Sequence, residues 1–147
     1  MFAYDVDGDG DADIVSSSAH DYGLWWHEQV REPGGGVEWK THTIDDRVSQ
    51  THALAVADLN GDGIPDLITG KRFFAHNGND PGEFEPSVLL WYEGGRDVNG
   101  RPAWTPRLVH GDAGVGLQVR VVDVTGDGRP DIVTASKKGV YVFERLP

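Results

Sequence analysis

One nine-residue phrase occurs three times along the chain: DVDGDGDAD from Asp5 to Asp13, DLNGDGIPD from Asp58 to Asp66, and DVTGDGRPD from Asp123 to Asp131. Each copy places oxygen-bearing side chains at positions 1, 3, 5 and 9 and a glycine at position 6. Each is followed at once by an apolar pair, Ile14-Val15, Leu67-Ile68 or Ile132-Val133. Oxygen donors on alternate residues of a tight loop suit a hard cation such as Ca2+, which takes about six to eight oxygen ligands. The glycine supplies the positive φ that such a turn demands. The expected ligands are Asp5, Asp7, Asp9 and Asp13 with the Asp11 carbonyl in the first loop. The second loop offers Asp58, Asn60, Asp62 and Asp66 with the Ile64 carbonyl, and the third Asp123, Thr125, Asp127 and Asp131 with the Arg129 carbonyl.

An EF-hand opens with the same phrase but closes on a bidentate Glu at position 12, inside a helix. Here position 12 is Ser16, Thr69 or Thr134, so position 9 has to close the site. The flanks are short and rich in β-branched residues, such as HALAVAD before the second copy and PDLITG within and after it. They read as strands, and each cassette as a hairpin loop. Asp and Gly are ordinary turn residues, but three copies with one oxygen spacing argue for a shared ligand.

The first aspartates of the cassettes lie 53 and 65 residues apart, and other landmarks explain the difference. Each cassette is followed by an aromatic strand ending in Glu28, Glu93 or Glu144. In the first two units a Trp follows that Glu by 11 residues, and the next cassette follows the Trp by 19. All the variation therefore lies between the second strand and the aromatic strand, where the second unit carries 12 extra residues. The repeating unit is four strands: a run-in strand, the strand after the cassette, the aromatic strand, and an outer strand (WKTHTI or WTPRLV). Four antiparallel strands repeated at this period predict an all-β chain of β-propeller blades. Blade one covers 1–48, blade two 49–113 with its insertion at 71–87, and blade three 114–147, which is incomplete. The first unit starts partway through its inner strand and the third lacks an outer strand, so a larger propeller is expected to be closed by further blades of a longer chain or by self-association.

These cassettes, each feeding a Val/Ile strand, resemble FG-GAP or VCBS repeats, the calcium-loop blades of integrin α-like propellers. The stretch THALAVADLNGDGIPDLITGKRFFAHNGNDPGEFEPSVLLWYE is similar, more narrowly, to blades in the propeller domains of aldos-2-ulose dehydratases and certain polysaccharide lyases. The resemblance implies Ca2+ as cofactor, an extracellular or periplasmic location, and either a binding module for carbohydrate or protein or the propeller part of a carbohydrate-active lyase or dehydratase. Thr125 departs from the family pattern, which has Asp or Asn there. With fewer charged ligands, affinity should fall from the first loop to the second and the third.

Composition is consistent with this reading. Twenty glycines and eight prolines suit a turn-dense β protein, and no cysteine is present to form a disulfide. The net charge of −11 argues against nucleic acid as a partner. It comes largely from the cassettes, which hold 11 of the 24 acidic residues, and bound cations would relieve that self-repulsion. No run of about 20 apolar residues exists to cross a membrane.

The cassettes join strands one and two of each unit, so the loops between strands two and three lie at the opposite rim. His20, Lys71, Arg72, His76, Lys137 and Lys138 fall on that rim, with His52 and Gln118 at the starts of inner strands. His52, Lys71, Arg72 and His76 share it with the insertion and combine a titratable base with cations. They are the catalytic candidates if the chain is an enzyme: the cations would neutralise a uronate carboxylate while a His removes the neighbouring proton. A zinc site from His20, His52 and His76 matches no closed spacing motif. Lys137 and Lys138 read as a solvated turn, His42 and His110 as surface residues, and His27 as packing between blades with Trp25 and Trp26.

Overall fold

Short runs rich in β-branched and aromatic residues form the strands of a computed structural model that describes residues 1–147. The first antiparallel sheet contains β1 (Phe2–Tyr4), β2 (Asp13–Ser17), β3 (Tyr22–Arg31) and β4 (Val37–Ser49), in that order. The second contains β5 (Leu54–Ala57), β6 (Asp66–Gly70), β7 (Leu89–Arg96) and β8 (Pro102–His110), and the third β9 (Val119–Val122), β10 (Asp131–Ser136) and β11 (Gly139–Phe143). The only helical turn is a 3-10 turn at Ala75–Gly78, inside the insertion. Three meandering antiparallel sheets of four, four and three strands give the all-β, propeller-like architecture expected from the repeat.

The units share one register. Asp13, Asp66 and Asp131 each begin the second strand of their sheet and lie opposite the last residue of the first strand, Tyr4, Ala57 or Val122. In the outer pair, Trp39 faces Gln29 and Trp104 faces Gly94. Gly94 is a glycine because a Cβ there would sit 2.4 Å from the Pro65 carbonyl oxygen. The aromatic strand and the cassette therefore close on each other at that point.

The core lies between sheets rather than within one. Val15 and Leu24 of the first sheet pack with Leu67, Leu90 and Tyr92 of the second. Ala55, Ile68 and Leu89 of the second pack with Val119 and Ile132 of the third. All five residues of β6 are buried because this strand is sandwiched from both sides. The Tyr92 hydroxyl also donates to Asp45 of the first sheet, 3.2 Å away, a polar tie inside an apolar seam. Burial and the Asp45 charge push the Tyr92 phenol well above its ordinary range.

Four side chains make contacts that the sequence does not specify. His27 bonds within its own sheet, to the Ser16 hydroxyl at 2.8 Å and the Thr41 hydroxyl at 2.9 Å, because β2 and β4 flank β3 and both present hydroxyls to the ring. His42 is at the surface, its side chain 39% exposed, and is held there by stacking on Trp26 at 4.4 Å and by Glu28 at 2.7 Å. Lys137 and Lys138 form a docked turn, since Lys137 donates to the Phe74 carbonyl at 2.7 Å and Lys138 pairs with Asp112. The insertion comes close enough to supply the first of those partners.

Candidate functional site

The three cassettes fold alike, and their hydrogen bonds explain why. The position-1 carboxylate collects loop amides: Asp5 accepts from Gly8 at 2.7 Å and Gly10 at 3.0 Å. Asp58 accepts from Gly61, Asp62 and Gly63, and Asp123 from Gly126, Asp127 and Gly128. These amide bonds, led by Gly63 and Gly128, hold the Asp58 and Asp123 carboxyls below the usual range. The position-5 carboxylate accepts the position-7 amide at 2.8 Å in all three loops, as Asp9, Asp62 and Asp127. Glycine at position 6 is at φ 96° in Gly10, 86° in Gly63 and 84° in Gly128, a backbone that L side chains resist.

Position 9 works differently. Asp13, Asp66 and Asp131 are buried, and each uses both oxygens on backbone amides. Asp13 accepts from Val6 at 3.2 Å and Gln29 at 2.8 Å, Asp66 from Leu59 at 2.9 Å and Gly94 at 2.8 Å, and Asp131 from Val124 and Arg145 at 3.0 Å each. This aspartate ties its loop to the third strand or the segment beyond it. Carboxylate oxygens have further lone pairs, so the tie leaves room for a cation bond as well.

The loops differ in what their side chains turn inward. In the first, Asp5, Asp7 and Asp9 bring carboxylate oxygens within 4.8 Å of one another, a donor set suited to a hard cation. Burial, with the charges of Asp9, Asp13 and Glu28, pushes the Asp7 carboxyl up. In the second, the Asn60 amide donates to Asp62 at 2.8 Å. In the third, Arg129 pairs with Asp127 and Thr125 replaces the position-3 carboxylate. The first loop is thus the one that gathers three carboxylates. A cleft of about 810 Å³ opens beside the first loop, lined by Asp7 and Asp9 together with Trp26, Trp104, His42 and Arg96. This cleft is not legible in the sequence, because its walls come from β3 and β4 of the first sheet and from β7 and β8 of the second, far apart along the chain.

At the opposite rim the insertion lies against both neighbours. His52 and Arg72 meet at Gln50, whose carbonyl accepts both backbone amides, at 2.8 and 3.3 Å. Burial, followed by the Arg72 guanidinium and then His20, holds the His52 imidazole below its ordinary range, so it is a neutral base at neutral pH. His76 reaches the same group through His20, its ring 4.5 Å away. Lys71 is set apart: its side chain is only 1% exposed, its Nζ has no hydrogen-bond partner, and burial lowers its pKa. Arg72 and Gln118 instead line a groove of about 540 Å³ between the second and third sheets, together with Lys137 and Ser136.

Residues 5–69 match the family model described as FG-GAP-like repeat. No curated protein matches the chain. The matched span runs from the first cassette through the first sheet to the end of the second cassette and most of β6, the unit whose recurrence orders the fold. Residues 5–69 thus carry an FG-GAP-like repeat, and the same cassette, register and sheet order recur in the rest of the chain.

Proposed function

We propose that the chain is a calcium-stapled β-propeller repeat module of an extracellular or periplasmic protein, and that the rim opposite the calcium loops binds carbohydrate or protein. The observation that carries this reading is the division of labour along each strand pair. The first cassette gathers carboxylates at one end, while the other end of the sheets gathers Arg72, Gln118 and Lys137 around an open groove. A guanidinium beside a polar amide suits an anionic ligand such as a uronic-acid oligosaccharide. Calcium then acts on the fold and not on the ligand.

The neutral His52 beside Arg72 supports a second reading, a lyase or dehydratase in which Arg72 binds the carboxylate and His52 takes the proton. Lys71 has no role in it, being buried away from the groove.

The test is a binding and turnover assay with uronic-acid oligosaccharides at saturating calcium. Arg72→Ala should weaken binding by about 10-fold to 100-fold, the range for a hydrogen bond to a charged group, and leave calcium-dependent melting intact. Asp62→Ala should lower the melting temperature and leave ligand affinity unchanged in the folded protein. Unsaturated product that disappears in His52→Ala would favour the lyase. Binding that is indifferent to Arg72→Ala and Gln118→Ala would overturn the rim assignment.

A further inference from the structure

We propose that His20, His76 and Asp80 form a binding site for a divalent d-block cation, zinc foremost, that fastens the insertion of the second unit to the first sheet. The three donor atoms come from two places distant in sequence, the β2–β3 turn and the insertion. His20 Nδ1 lies 3.2 Å from His76 Nδ1 and 3.3 Å from Asp80 Oδ2, and His76 Nδ1 lies 2.7 Å from Asp80 Oδ2. Two donors in a tetrahedral zinc site with bonds near 2.05 Å are separated by about 3.3 Å, so this triangle needs little adjustment to accept the ion.

The chemistry also favours such an ion over a hydrogen-bonded cluster. Asp80 Oδ2 can accept an Nδ1–H from both rings, but the 3.2 Å His20–His76 contact then sets two N–H donors side by side, and with either Nδ1 unprotonated its lone pair faces the carboxylate. A single cation takes all three lone pairs. Two imidazoles and one carboxylate suit zinc and its neighbours, whereas Ca2+ prefers the all-oxygen loops at the other rim. Three protein ligands leave a fourth position for water on the exposed side, where the His20 side chain is 60% exposed.

The insertion is shaped around this point. Phe74, His76 and Asn77 are left-handed, at φ 42°, 48° and 58°, although none is glycine. Such backbone persists only where its surroundings hold it. Asn79 grips the His76 carbonyl at 2.6 Å, and Lys137 grips that of Phe74 at 2.7 Å. A second tie runs parallel to the proposed site, from the Tyr22 hydroxyl to Glu85 at 2.6 Å. The ion would thus complete a clamp between the first sheet and the insertion. His52, its ring centroid 6.4 Å from that of His20, stands outside the donor set.

The experiment uses the full chain saturated with calcium and stripped of transition metals, titrated with Co2+ as a visible probe and then with Zn2+. The expected result is one Co2+ per chain with the absorption of a four-coordinate site, displaced by one Zn2+, and zinc should slow proteolytic cleavage within the insertion. His20→Ala and His76→Ala should each weaken binding by about 100-fold or more, at least what loss of a supporting shell costs, while His52→Ala should bind as the parent does. If an alanine variant loses its calcium-dependent melting, Asp80→Asn makes the same comparison with the shape of the side chain kept. Absence of a four-coordinate Co2+ spectrum in the parent, or binding that survives the His20→Ala, His76→Ala double change, overturns the site.

Discussion

Calcium is expected to raise the melting temperature of this chain by about 8 °C for each site filled at a hundredfold excess over Kd, from about 2.7 kcal/mol per site. The effect should be large because the cassettes crowd charge. Asp5, Asp7 and Asp9 converge within 4.8 Å in one loop, and the whole chain carries a net charge of −11. A cation bound only by the folded loop relieves that repulsion in the native state and leaves the unfolded chain unaffected. Melting followed by circular dichroism, with calcium and then with excess chelator, measures the shift. Superimposable curves would remove calcium from the account.

The second large effect needs no metal. Asp66→Ala should cost about 3 kcal/mol or more, since it leaves the buried Leu59 and Gly94 amides without acceptors. At this chain length that lowers the melting temperature by on the order of 10 °C. The comparison belongs in chelator, where Asp62→Ala, a change in the exposed part of the same loop, should stay within about 1 kcal/mol of the parent. Equal melting of the two variants in chelator would mean that position 9 acts only through the cation.

Those two aspartates mark how far the sequence could be read. The alternation of oxygens identified the loops, and the fixed spacing of Glu28 and Trp39, and of Glu93 and Trp104, identified the four-strand unit, because both are local patterns tied to a strand register. The fastening role of Asp66 was not legible, since its partner amides belong to Leu59 and to Gly94, 28 residues away and on a different strand. The insertion was located by its length, but its path was not. Asp80 sits in a polar HNGNDPG stretch that reads as a turn, and only the folded chain brings it against His20, 60 residues earlier. Lys71 counts as a surface cation by residue type, yet it directly follows the fully buried β6 and is itself buried. Lys137 and Lys138 read as a solvated turn by residue type, and only the folded chain sets Phe74 and Asp112 beside them.

The most direct test is a calcium titration followed by amide resonances in isotope-labelled protein. The amides of Gly10, Gly63 and Gly128 donate to the position-1 carboxylates at 3.0, 2.8 and 2.8 Å, so they report occupancy loop by loop. The account predicts that all three shift, Gly10 at the lowest calcium and Gly128 at the highest, while His52, Arg72 and Gln118 at the far rim stay in place. Glycine amides that do not respond, or a response centred on the rim, would contradict it.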